Sequence, residues 1–155
     1  MRNDLPGYLR WEGVWTGRGE SQAGQVVIVR CEFSEALRGE ALGMHFEAFD
    51  ESLGTLYHGV HAYLAPARQG DLRCTAHSTI HGPLILDRTP DDDGVLALSG
   101  LSVAGNQISV TFVEEHDGSL LFTAFSRPPS VPLHENLPRM HCRLIRAALF
   151  VPPRR

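Results

Sequence analysis

Strand-like segments recur along the chain at nearly even spacing, and this regularity restricts the fold more than any single residue does. Runs of about 8–11 residues rich in Val, Leu, Phe and Tyr alternate with turns built from Gly, Asp, Asn or Pro. They cover residues 9–19, 25–35, 39–49, 54–65, 71–79, 83–88, 94–102, 106–115, 118–127 and 138–149. The connections are short, as in FDESLG, ARQGD, PDDDG, VAGNQ and EHDGS, which favours consecutive antiparallel pairing. A meander of about ten strands hides its edges best by closing on itself. The expected fold is therefore all-β: a closed up-and-down antiparallel β-barrel, with residues 1–155 as one domain. Residues 21–24, which separate the first two runs, are too few for a helical lid. The proline-rich stretch RPPSVPLHENLPR breaks the pattern before the last run, as a loop or short helix.

Charge and composition narrow the partners. With 14 Lys and Arg against 18 Asp and Glu, the formal net charge is −4, and no basic block is present to follow a phosphate backbone, so nucleic acid is not expected. No apolar run reaches the ~18 residues of a membrane span, and MRNDLPGYLRWEG lacks the apolar region of a secretion signal. A cytoplasmic protein without a membrane partner is expected, as a monomer or homodimer. Cys31, Cys74 and Cys142 are odd in number and contain no C-x-x-C pair. They read as small reduced core or wall residues rather than as a disulfide framework or zinc site.

The first run contains GVWTGRGE, residues 13–20. Glycines at 13, 17 and 19 let a first strand bend and lie close under its neighbours, and Trp15 suits a plug at one barrel end. A G-x-W pattern near the start of an all-β chain of this length resembles the calycin superfamily, the lipocalins and fatty-acid-binding proteins. The resemblance implies a structural set of Gly13, Trp15 and an arginine of the last strand lying over the tryptophan. Arg143 is favoured over Arg146 for that role. The extended G-x-W-x-G-x-G, together with YHGVHAYLAPARQGDLRCTAHSTIHG at 57–82, is similar to the nitrobindin-like haem-binding barrels. That likeness implies an enclosed hydrophobic ligand, with haem as the special case, and points His58 and His77 into the cavity. The family's haem iron is held by a histidine just before or inside the last strand. His134 and His141 stand nearest that position, each two residues away from it.

The residues themselves also suggest a cavity. One face of 54–65 carries Leu56, His58, Val60, Ala62 and Leu64, and the other carries Tyr57, Gly59, His61 and Tyr63. An apolar wall with one imidazole suits a hydrophobic ligand fixed by a polar contact. The expected ligand-binding residues are thus Leu56, His58, Val60, Ala62 and His77. The alternative is a small barrel enzyme, an isomerase or cyclase acting on a hydrophobic substrate, with His58, His77 or Tyr63 as acid or base. No metal site is expected: His77 and His81 in one extended strand stand about 13 Å apart, and His58 and His61 face opposite ways. His45 and Glu47 share a face opposite apolar Met44, Phe46 and Ala48, which directs the polar pair to solvent. Neither a G-x-S-x-G elbow nor a P-loop is present.

Overall fold

The structure, a computed structural model, describes residues 5–68, 71–89 and 94–147. Ten strands follow one another: β1 Gly13–Glu20, β2 Val26–Ala36, β3 Ala41–Asp50, β4 Leu56–Pro66, β5 Leu72–Ser78, β6 Gly82–Thr89, β7 Val95–Leu101, β8 Gln107–Glu114, β9 Leu120–Arg127 and β10 Met140–Arg146. Each pairs with its sequence neighbours, and β1 closes against β10. The expected closed up-and-down barrel is borne out. A tight turn joins β1 to β2, with Ser21 N donating to Gln25 O at 2.8 Å, so no helical lid separates them. None of the helices among the described residues is long and apolar enough to cross a membrane.

The first strand starts later than its apolar pattern suggests. Residues Leu5–Leu9 form a short helix, α1, and Trp11 N then bonds back to Tyr8 O. This segment folds under the barrel because Leu5, Tyr8 and Trp11 are buried together, while Tyr8 OH donates to Val95 O at 2.9 Å. The last strand ends at Arg146, and residues 148–149 of its expected range lie outside the described residues.

Trp15 is 2% exposed and its indole N–H donates to Trp11 O at 2.8 Å. The guanidinium above its ring is that of Arg146, 4.4 Å from the ring centroid, which corrects the expectation of Arg143. Strand alternation is the reason: β10 turns Met140, Cys142 and Leu144 inward, and Arg146 continues that series at the barrel end. Arg143 has the opposite parity and reaches Glu115 at 3.8 Å. Arg146 also donates to the carbonyls of Glu12 and Arg10, tying the α1 segment to the last strand.

The glycines of GVWTGRGE are explained by β10. A Cβ on Gly17 would stand 2.8 Å from Cys142 Sγ, and one on Gly19 would stand 2.7 Å from Cys142 Cβ. The first and last strands therefore approach too closely for a side chain at position 17 or 19.

Candidate functional site

Inward-facing aromatic rings run from the plugged end towards the other. Phe33 packs on Phe112 (ring centroids 5.5 Å apart), Phe112 on Phe122 (5.1 Å), and Phe122 on Phe46 (4.9 Å). Beyond Phe46 and Phe122 the barrel opens into a cavity of about 200 Å³. Its walls are mostly aliphatic, with Val60, Leu84, Leu98 and Ile108 among them; Gln22, Tyr57, His58, His81 and Ser126 supply the polar groups. Gln22 is held in place by bonding both N–H and C=O of Ser126, at 3.0 and 2.9 Å.

His58 reaches the cavity through a local irregularity. The β3–β4 register passes from Ala48 opposite His58 to Phe49 opposite Leu56, leaving Tyr57 as an extra residue, a β-bulge. The bulge shifts the alternation, so Tyr57 joins His58 and Val60 on the cavity wall, whereas Leu56 turns outward and is 48% exposed. The expected grouping of Leu56 with His58 is corrected accordingly. Ala62 is buried deeper in the wall.

Ser78, at the end of β5, controls how His58 presents itself. Its hydroxyl oxygen accepts the backbone N–H groups of Ile80 and His81, at 3.2 and 3.1 Å, which caps the β5–β6 turn. The hydroxyl proton is then available to His58 Nε2, 2.7 Å away. A neutral His58 accepting at Nε2 carries its proton on Nδ1, a tautomer assigned here from the hydrogen-bond network. Burial, reinforced by the neighbouring His81, pushes the His58 pKa down to about 4, so the ring is neutral near pH 7. Burial also lowers the pKa of His81, whose ring centroid lies 6.1 Å from that of His58. Ser78 beside a histidine is not an exposed nucleophile: it is 1% accessible and its hydroxyl is committed on every side.

The remaining expected residues lie elsewhere. Alternation in β5 buries Cys74, Ala76 and Ser78 and turns His77 outward, so His77 does not enter the cavity. Tyr63 is on the outer face of β4, 46% exposed. His134 is exposed in the loop before β10, and His141 faces outward on β10, 4.0 Å from Glu20. Neither lines the cavity, where Met140 represents that strand. Sequence reading missed His81 and Tyr57 as wall residues. His81 had a signal, since the S-x-x-H-G run of 78–82 is a turn sequence; the bulge that brings Tyr57 inward had none. All three cysteines are unpaired and buried, and Cys74 belongs to the cavity wall.

No protein-family model matches the chain, and no curated protein matches it. Among solved structures the barrel is similar to Rv2717c from M. tuberculosis, with a TM-score of 0.67 and 16% sequence identity over 96% of this chain and 99% of that one. At that identity the likeness shows a shared fold across nearly the whole chain.

Proposed function

We propose that this calycin-type barrel binds a small, mostly apolar molecule carrying one hydrogen-bond acceptor, oriented by the Nδ1–H of His58 and by His81. The observation that supports this most is the Ser78–His58 hydrogen bond beside a mostly apolar wall, which orders one imidazole at the cavity. Such a wall with few polar groups is the usual design of a small-molecule site. The cavity of about 200 Å³ is slightly larger than one that holds benzene, at about 150 Å³, and suits a substituted single ring or a short branched chain. A cytoplasmic setting is in keeping with three unpaired buried thiols.

Haem does not fit this cavity in the way the family resemblance implies. The two candidate iron ligands, His134 and His141, are on the outer surface, and His58 Nε2 is occupied by Ser78. A second reading, acid–base catalysis on a hydrophobic substrate, is favoured by the proximity of His58 and His81, with His77 and Tyr63 no longer candidates. It is the weaker one, because His58 held near pKa 4 is a poor base at neutral pH.

Native mass spectrometry of protein purified under non-denaturing conditions tests the proposal. It should show a co-purified small molecule that is lost in the cavity-filling variant Val60→Phe. Hemin titration should give no saturable Soret shift dependent on His134 or His141; a one-to-one shift abolished by replacing either would overturn the assignment in favour of haem.

A further inference from the structure

The outer wall carries a second group of histidines, independent of the cavity. Cross-strand register sets Glu32 of β2, His45 of β3, His61 of β4 and His77 of β5 in one row. Within it, His45 Nδ1 and His61 Nδ1 are 3.3 Å apart. Two nitrogens bound to one tetrahedral zinc ion, each about 2.0–2.1 Å from the metal, stand about 3.3–3.4 Å from each other. The far sides of both rings are also engaged: His45 Nε2 lies 2.9 Å from Glu47 Oε1, and His61 Nε2 lies 3.4 Å from Tyr63 OH. A carboxylate behind an imidazole is the arrangement that orients metal-binding histidines and raises their basicity.

We propose that His45 and His61 form a surface site for a divalent transition cation of the zinc or copper class, bound through both Nδ1 atoms, with Glu47 and Tyr63 orienting the rings. Imidazole nitrogen selects these borderline cations over magnesium and calcium, which prefer oxygen. Among the described residues no group of three or more His, Cys, Asp or Glu converges on one point, so water completes the coordination.

The protons balance without a charged intermediate. A carboxylate only accepts, so neutral His45 carries its proton on Nε2 towards Glu47 and presents a bare Nδ1. His61 then donates from Nδ1 to His45 Nδ1, and Tyr63 OH donates to His61 Nε2. When the metal takes both Nδ1 lone pairs, the His61 proton shifts to Nε2, and the Tyr63 oxygen turns from donor to acceptor. The surroundings suit a cation: Glu32 is opposite His45, and Arg30, opposite Glu47 in register, is itself paired with Glu32 at 3.1 Å.

Isothermal titration of the intact protein with zinc chloride tests the site, alongside imidazole nitrogen NMR. One saturable site per chain is expected, with the Nδ1 resonances of His45 and His61 moving on zinc addition and not on magnesium addition. His45→Gln and His61→Gln should each weaken zinc at least about tenfold. His141→Gln, on the outer face of β10, should leave affinity unchanged. All three positions are exposed, so matched circular dichroism and melting would show that the variants fold. The assignment is overturned by an absence of saturable zinc binding, by unchanged binding in His45→Gln and His61→Gln, or by equal loss in His141→Gln.

Discussion

Trp15 and Arg146 show how much a single residue pair contributes at the closed end. The indole is buried, hydrogen-bonded to Trp11 O and covered by a guanidinium that also binds two carbonyls of the N-terminal segment. Trp15→Ala should therefore cost roughly 3–5 kcal/mol of stability, and Arg146→Ala about 1–3 kcal/mol through the lost cation–π and charge-assisted contacts. Arg143→Ala, which removes only an exposed partner of Glu115, should stay within about 0.5 kcal/mol. Urea melts of the three variants separate these outcomes, and equal effects at Arg143 and Arg146 would refute the assignment. The tryptophan was legible in the sequence because glycines surround it. Its arginine was legible too, though missed: the apolar series Met140, Cys142, Leu144 alternates along β10 and carries on to Arg146, whereas Arg143 has the opposite parity.

At the scale of elements, the β4 bulge and the β5–β6 turn build the mouth of the cavity. Strand positions and turns were readable from alternation and turn residues, and nine of the ten runs begin within two residues of the strands observed. Side-chain direction was readable only where alternation is unbroken. The bulge at Tyr57 exchanges Leu56 for Tyr57 on the wall, and the cross-strand His45–His61 pair depends on a β3–β4 register that no single strand contains. Ser78 couples turn and site, so Ser78→Ala should lower stability by about 1–3 kcal/mol, leaving two backbone donors and His58 unsatisfied. Its second consequence is spectroscopic: without the hydroxyl donor, His58 is released from the Nδ1–H tautomer. Nitrogen NMR should detect mixed tautomers in this variant; an unchanged Nδ1–H form would show that Ser78 does not orient the ring.

The whole barrel carries the effect of the buried imidazole into its pH dependence. In the unfolded chain His58 titrates near its ordinary value of about 6.5, whereas burial holds it at about 4 in the folded state. Between those values the unfolded chain takes up a proton that the folded one refuses, so stability falls as pH drops from about 6.5 to 4. The loss is on the order of 2 kcal/mol, discounted for the partial exposure of the ring. Melting curves at about pH 7 and pH 5 should show the decline in the wild type and a flatter response in His58→Gln. The same neutral ring is the donor on which the proposed binding depends. Acetophenone and isopropylbenzene have nearly the same shape, but only the ketone offers an acceptor, so isothermal titration with the two compounds tests the central claim directly. Acetophenone should bind more tightly by about tenfold, the difference expected of one hydrogen bond, and His58→Phe should abolish the preference. Equal affinity for the two compounds, or a preference that survives His58→Phe, would contradict it.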